Sequence, residues 1–280
     1  MQTDYVQRFL FEDLDIRGRL VCLTAAWQPM LQGRGYPPSI VSLLGHTTAL
    51  NVLLGANQKG AGRVTLQVQG SGPVRLLVSD CTADLQIRGM AQYEALEKES
   101  VSEKNLLGDG KLSVTLEDLT SGQFYQSLVP LDGDTLEAIF EHYLAQSEQL
   151  RSYLRLQADG GALCGLLLEK LPGADARDPD GWDRVTHLAS TLRLDETRDA
   201  QPYDLLTRVF PEELMRVFRL YAVEYYCPYD EEKVKDMLRG LGRREVESIL
   251  AEQGEVVIRN EMCNHEYRFD ARAIAELFLH

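Results

Sequence analysis

Two strand-like segments joined by a tight turn, between residues 62 and 79, limit the folds open to this chain. The segment GRVTLQVQG alternates apolar and polar side chains, which is the two-residue period of a strand with one buried face. The turn GSGP follows, and VRLLV returns as a second strand. Residues 84–89 and 112–116 are also strand-like, without regularly interleaved helices. The pattern predicts an α+β fold whose N-terminal core holds a mixed or antiparallel sheet together with helices.

Helical spacing of apolar side chains predicts a core helix over residues 39–58 and an amphipathic helix over 135–150. After residue 173 the acidic stretch ADARDPDGWDRV, with its Pro and Gly, is typical of a domain boundary. Helical periodicity then returns, above all in PEELMRVFRLYAVEY at 211–225. We therefore divide the chain into an N-terminal α+β core at 1–173, a helical linker at 174–225 and a small C-terminal α+β domain at 226–280.

The C-terminal segment shows the signals of a compact unit. Asp230 and Asp270 stand where helix caps are expected, and residues 256–258 and 267–269 form a predicted hairpin. Its candidate core residues are Val234, Met237, Leu238, Leu241, Val246, Ile249, Leu250, Val256, Ile258, Tyr267, Phe269, Ile274, Leu277 and Phe278.

Charge and cysteine content exclude several classes of protein. Lys and Arg number 29 against 43 Asp and Glu, a net charge of −14, which disfavours nucleic acid as the partner. We see neither a signal peptide nor ~18 uninterrupted apolar residues, so we expect a cytoplasmic protein without a membrane partner. Five scattered cysteines are too few for a disulfide scaffold. Cys22, Cys81 and Cys164 lie in apolar stretches and are expected to be small buried residues.

The sequence also lacks the motifs of common enzyme classes. It has no phosphate-binding loop, dinucleotide fingerprint, HExxH or Cys-x-x-Cys, and its histidines form no ligand-spaced pair. The Gly-Ser-Gly at 70–72 is a hairpin turn and not a nucleophile elbow. We therefore do not expect an enzyme.

Motifs spread over the whole chain identify a family. They are LQVQGSGPVRLLVSD, LQIRGM, LLGDG, YLAQSEQL, GLLLEKLPG and VKDMLRGLGRREVESILAEQGEVVIRN. In these the chain resembles the 33 kDa chaperonin family, the redox-regulated heat-shock holdases of bacteria. The resemblance implies an N-terminal α+β core that can dimerise, a metastable helical linker and a C-terminal zinc-binding redox domain. It also implies suppression of aggregation without ATP, with oxidation ejecting zinc, forming two disulfides and exposing a client-binding surface.

The zinc ligands are where this chain departs from the family, whose four thiolates follow the pattern Cys-x-Cys and Cys-x-x-Cys. Tyr229 stands two residues after Cys227, and Asn260 stands three residues before Cys263, each at a cysteine position of the family. Two cysteines do not complete a tetrahedral zinc site. The ligands left for zinc would be Cys227, Cys263 and His265, and we expect no cofactor.

Two roles remain open for the surviving cysteines. They could form one disulfide, a reduced version of the family switch, or both could stay reduced and serve as packing. We hypothesise that side-chain packing replaced zinc in closing this domain, with Tyr229 and Met262 filling the vacated metal site.

The linker is the candidate for client binding. A segment of low stability exposes apolar surface more cheaply than global unfolding does. The candidate client-binding residues are Phe210, Leu214, Met215, Val217, Phe218, Leu220 and Tyr221. We therefore expect a holdase that binds unfolding client proteins under stress, with heat or unfolding as its trigger. The alternatives are a chaperone activated by a single disulfide, or a non-chaperone adaptor on the same fold.

Overall fold

The computed structural model describes residues 4–56, 62–96, 102–193, 196 and 200–279. The chain forms two compact units, Met1–Tyr226 and Cys227–His280. The segment 174–225, which the sequence set apart as a linker, therefore belongs to the first unit.

The first unit is built from two sheets, and its α+β class confirms the prediction. Its strands are β1 (Tyr5–Phe11), β2 (Ile16–Leu23), β3 (Gly62–Gly70), β4 (Val74–Thr82), β5 (Gln86–Tyr93), β6 (Gly110–Asp118), β7 (Phe124–Pro130), β8 (Ser152–Ala158), β9 (Leu163–Lys170), β10 (Met215–Ala222) and β11 (Glu224–Tyr225). One sheet has the antiparallel order β10-β1-β2-β9-β8. The other has the order β11-β5-β4-β3-β6-β7, antiparallel except where β11 joins β5.

The helices of this unit fill the space between the sheets and cover the outer face of one of them. They are α1 (Gln28–Leu31), α2 (Pro38–Gly55), α3 (Glu103–Leu107), α4 (Leu136–Ser147), α5 (Ala174–Arg177), α6 (Gly181–Ser190) and α7 (Pro202–Val209). The predicted helix 39–58 corresponds to α2, and residues 57 and 58 lie outside the described part of the chain. Helix α2 is apolar on all sides and packs against strands of both sheets, as expected of a core helix. Its length and mean hydropathy of 1.2 would also suit a membrane span, but 72% of it is buried inside the unit.

The central strands of the five-stranded sheet, β2 and β9, are buried on both faces. One face shares an apolar cluster with α2 and the second sheet, and the other face shares a second cluster with α5, α6 and α7. A strand buried on both sides needs no polar alternation, which explains the sequence LCGLLLEK of β9. Gly18 faces Phe9 in the β1–β2 register, and the phenyl ring fills the space where a Cβ would lie.

The helix predicted over residues 211–225 is wrong, because this segment contains the edge strand β10. The strand pairs antiparallel with β1, and the register shifts where Gln7 faces Leu220 and Phe9 faces Val217. The inward-facing Val217 and Leu220 are therefore three positions apart, although Met215 and Val217 keep the ordinary spacing of two. A bulge of this kind produces the three-residue spacing that a helix shows, so the sequence pattern was ambiguous.

The second unit packs three helices on a hairpin. Its elements are α8 (Glu231–Leu241), α9 (Arg243–Gln253), β12 (Val256–Asn260), β13 (His265–Phe269) and α10 (Ala271–Leu277). The predicted hairpin is confirmed, as are the caps: Asp230 accepts from the Lys233 amide and Asp270 from the Ala273 amide.

The core of the second unit is small. The buried side chains of its apolar cluster are Leu238, Val246, Val256, Tyr267, Phe269, Ile274 and Leu277. Met237 and Leu241, which the sequence placed in this core, are 47% and 52% exposed, because Leu238 and Val234 define the inward face of α8.

Candidate functional site

Cys227 and Cys263 meet in the second unit. Cys227 is the first residue of the unit, and Cys263 lies in the turn that joins β12 to β13. Their sulfurs are placed as a bonded pair, and their Cα atoms are 5.9 Å apart, a separation typical of disulfides. Cys263 is only 5% exposed. The two family cysteines that survive are therefore neighbours across 36 residues of sequence.

Asn260 organises the turn that carries Cys263. Its backbone carbonyl accepts from the amides of Cys263 (3.3 Å) and Asn264 (2.7 Å), and its side-chain Oδ1 accepts from the Met262 amide at 3.0 Å. Asn264 takes a positive φ of 59°, a conformation that asparagine tolerates well. The backbone and side-chain carbonyl oxygens of Asn260 thus stabilise the turn by hydrogen bonding. The turn does not need a metal ligand at this position.

Tyr229 does not fill the vacated metal site, contrary to our hypothesis. Its side chain is 58% exposed and stacks on Tyr267, with ring centroids 4.4 Å apart. Tyr267 is buried, and its hydroxyl accepts from the Asp230 amide at 3.1 Å. The ring of Tyr229 therefore covers the hairpin from outside, and its hydroxyl does not have to be buried.

The residues present do not fit the four-thiolate zinc site of the family. His265, the third candidate ligand, lies opposite Asn260 on the hairpin, with its ring 5.9 Å from that of Tyr229. Tyrosine and asparagine replace two thiolates, so the donor set at Cys227 and Cys263 is incomplete for tetrahedral zinc.

A separate group of metal-ligating residues lies in the first unit, where His46, Glu103 and Glu137 come together. Their ligand atoms already hold hydrogen bonds. His46 Nδ1 is 2.6 Å from Glu103, which also accepts from the Leu136 amide at 2.6 Å, and Glu137 accepts from the Leu156 amide at 3.2 Å. These hydrogen bonds connect α2, α3, α4 and β8. They give the three residues a structural role that requires no metal.

The predicted client-binding residues divide between the two faces of β10. Phe210 is buried after α7, and Met215, Val217 and Leu220 are half-buried against the second apolar cluster. The outward residues are Leu214, Phe218 and Tyr221, which are 60%, 41% and 41% exposed. The structure therefore brings the candidates onto one edge strand and the segment that precedes it, and at rest it hides about half of them.

Comparison with known proteins identifies the family. The sequence profile described as Hsp33 protein matches residues 4–270. The chain belongs to the Hsp33 family. The 33 kDa chaperonin of Methylobacillus flagellatus is 38% identical to it, and the alignment covers 99% of this chain and 94% of that protein. The 33 kDa chaperonin of Chromobacterium violaceum is 39% identical, over 98% of this chain and 94% of that protein. Hsp33 proteins are chaperones and not enzymes, as the sequence predicted.

The fold agrees with that assignment. The crystal structure of the 33 kDa chaperonin of Thermotoga maritima superimposes with a TM-score of 0.83, covering 98% of this chain and 97% of that one. Sequence identity with that protein is 22%, so the likeness concerns the fold.

Sequence reasoning missed one exposed apolar surface of this Hsp33 chain. Phe124, Tyr125 and Leu128 of β7 are 72%, 66% and 59% exposed, and β7 is the edge of the six-stranded sheet. Adjacent aromatic residues there point to opposite faces, so the strand has no alternating pattern. That missing alternation was the signal for a strand whose first residues are exposed on both sides, although Val129 near its end is buried.

Proposed function

We propose that this chain is an ATP-independent holdase, which binds unfolding proteins and prevents their aggregation under stress. Membership of the Hsp33 family supports a chaperone function. The observation that carries the proposal is the arrangement of α6, α7 and β10, which we call the outer layer. Its apolar side packs against the second apolar cluster, and its other side is exposed.

Several features make the outer layer easy to open. Helices α6 and α7 have ten and eight residues, which is too short for helices to be stable without packing. Ion pairs of Arg184 with Glu213 and of Arg177 with Asp15 attach the region, but the two arginines are 42% and 53% exposed. Exposed ion pairs contribute at most about 1 kcal/mol each. Local opening of α6 and α7 therefore costs less than unfolding of the sheet, in which β10 is paired with β1.

Opening would create a client-binding surface. Phe210, Met215, Val217 and Leu220 would become exposed together with the second apolar cluster on one face of the sheet, whereas Leu214, Phe218 and Tyr221 are already exposed on the other side. Unfolded proteins expose apolar side chains, and a continuous apolar patch is the surface that binds them. Heat or another unfolding stress is the trigger that this arrangement suits.

We further propose that the second unit holds no zinc and is closed by its own core and by a Cys227–Cys263 disulfide. The seven buried side chains of that core and the 5.9 Å Cα separation support this. In the alternative, redox-activated version, making or breaking this one bond controls opening of the outer layer. We place the protein in the cytoplasm, with unfolding clients and a second copy of itself as partners.

The client surface is tested by light scattering of a thermally unfolding enzyme without ATP. We expect the triple variant Leu214→Ser, Phe218→Ser, Tyr221→Ser to lose most of the suppression shown by the wild type. The matched control replaces the exposed Phe124, Tyr125 and Leu128 of β7 by serine and should keep it. Loss in the control alone would place the client site on β7, and suppression by neither wild type nor control would exclude a holdase.

The redox alternative is tested with the double variant Cys227→Ser, Cys263→Ser. We expect it to suppress aggregation of the heated client, and we expect metal analysis of the reduced wild type to find far less than one zinc per chain. Complete loss of suppression in a folded double variant would favour the single-disulfide switch. Saturable binding of one native partner, without binding of several unrelated unfolding proteins, would favour the adaptor.

A further inference from the structure

Two more cysteines face each other in the first unit. Cys22 on β2 and Cys164 on β9 are direct partners in the antiparallel register, and their sulfurs are 3.3 Å apart. They are separated by 142 residues of sequence and are 3% and 2% exposed. The sequence presented them as two unrelated buried residues, and the fold makes them a pair.

The strand geometry suits a covalent bond between them. Residues directly opposite in an antiparallel pair have Cα atoms about 4.5–5.5 Å apart, within the range of disulfides. The sulfurs are 3.3 Å apart and need to approach to about 2.05 Å to form the bond. Cys81 offers an internal comparison, because it is buried in the other sheet, where burial raises the pKa of its thiol to about 12.

A buried phenol completes the row of side chains across the sheet. Tyr5 on β1 faces Cys22 in the register, and it is 1% exposed. Burial raises the pKa of Tyr5, and the neighbouring sulfurs of Cys22 and Cys164 raise it further. The hydroxyl therefore stays protonated beside the two sulfurs.

The outer layer controls access to this row. Both cysteines belong to the apolar cluster that α6 and α7 cover. Gln157 faces Cys164 from β8, and its amide donates to the carbonyl of Leu192, just beyond α6, at 3.3 Å. An oxidant reaches the sulfurs only when this cover lifts, so their reactivity follows the opening of the outer layer.

We propose that Cys22 and Cys164 form a second redox site, which a peroxide converts to a disulfide when the outer layer opens. A thiolate attacks one peroxide oxygen, giving a sulfenic acid and, with a proton, water. The second thiol then displaces the sulfenic hydroxyl, which leaves as water when the S–S bond forms. In sum, two thiols and one hydrogen peroxide give one disulfide and two waters. The bond joins β2 to β9, and it holds the sheet together while its outer face is uncovered.

The test is chemical and does not depend on chaperone activity. The full-length variant Cys227→Ser, Cys263→Ser retains Cys22, Cys81 and Cys164. It is treated with hydrogen peroxide at rest and at a temperature where hydrogen exchange shows α6 to be open. Remaining thiols are alkylated, and the peptides are mapped without reduction.

We expect a linked Cys22–Cys164 peptide, faster formation on warming, and Cys81 left as a free thiol. Val185→Ala removes a fully buried contact of α6 and should speed the linkage about tenfold. Val64→Ala, equally buried in the other cluster, should not speed it. If the serine background fails to fold, the same peptides are mapped in the wild type.

Two results would overturn the proposal. One is a pair that stays reduced although α6 exchanges freely. The other is oxidation of Cys22 and Cys164 to separate sulfinic acids without linkage. Equal acceleration by both valine variants would remove the role of the outer layer as a gate.

Discussion

The two units of this chain differ in how much apolar surface they bury to stay folded. The first unit buries both faces of its five-stranded sheet in separate apolar clusters. The apolar cluster of the second unit, Cys227–His280, has seven buried side chains, which come from one hairpin and three helices. A domain of that size is marginal without a metal or a covalent link.

This contrast shows why the loss of zinc ligands matters in one unit only. Four thiolates would supply zinc-binding energy of about 10–16 kcal/mol toward folding. This chain has two of them, and under our proposal packing, hydrogen bonding and the Cys227–Cys263 link replace that energy. Asn260 and Tyr229 show how, because each has a structural contact of its own. The first unit has no such dependence, and its cysteines are available for another role.

The strongest test of this contrast removes one large core residue from each unit. Phe269→Ala should cost about 3–5 kcal/mol, while a unit of this length has about 3–8 kcal/mol in all. We expect residues 227–279 to lose protection from hydrogen exchange while the first unit stays folded. Phe140→Ala, the same truncation in the first unit, should lower its Tm without unfolding it at 25 °C. Unchanged exchange in Phe269→Ala would show that the small core is not what holds the second unit.

The covalent link is the next largest contribution that we expect. Closing a loop of 36 residues restricts the unfolded chain by about 3–4 kcal/mol. Reduction with dithiothreitol should therefore lower the unfolding midpoint of the second unit and leave the first unit unchanged. Cys227→Ser, Cys263→Ser should show the lower midpoint with and without the reductant. An equal shift of the wild type and this variant would mean that no bond joins the two cysteines.

The sequence predicted features that depend on local signals. The alternation in β3, the caps at Asp230 and Asp270 and the C-terminal hairpin each need only a few neighbouring residues, and all are present. The family followed from motifs along the whole chain. Tyr229 and Asn260 were recognised as departures because they interrupt one of those motifs.

Features that depend on distant pairing were not predictable. The bulge opposite Gln7 gives β10 the spacing of a helix, and only the pairing with β1 decides between the two. Cys22 and Cys164 each sit in an ordinary apolar strand, and nothing local shows that they are partners. The stacking of Tyr229 on Tyr267 likewise depends on the hairpin register.

A buried ion pair distinguishes the first unit from the second. Arg19 donates to Glu169 and to the Leu53 carbonyl, with the Arg19 and Glu169 side chains 6% and 5% exposed. Arg19→Met should cost about 2–3 kcal/mol, less than a fully unpaired buried charge, because Arg17 also contacts Glu169 at 2.8 Å. The double variant Arg19→Met, Glu169→Leu should recover most of the lost free energy of unfolding, as measured by urea unfolding.

The matched control is an exposed pair in the second unit. Arg268, 56% exposed, contacts Glu255 at 2.6 Å, and Arg268→Met should leave the free energy of unfolding almost unchanged because water screens this pair. Similar losses of stability in Arg19→Met and Arg268→Met would show that burial does not make the ion pair of the first unit stronger than that of the second.

The smallest difference that we expect between the two units is in how their stability depends on pH. In the first unit this dependence comes from Glu141 of α4. Burial raises the pKa of Glu141 and nearby Glu137 adds to this, although the carboxylate accepts from the Leu154 amide at 2.6 Å. A carboxyl whose pKa is higher in the folded state binds its proton more tightly there. Its stabilising contribution is therefore complete below the unfolded pKa of about 4.3 and is lost as the pH rises through the folded pKa.

Glu141→Gln should stabilise the first unit near pH 7 by less than about 1 kcal/mol, and the gain should vanish near pH 4. Glu252→Gln, at an exposed position of the second unit, should give no such pH-dependent gain in thermal unfolding. A gain for Glu141→Gln that is equal at both pH values would exclude ionisation of Glu141 as its cause.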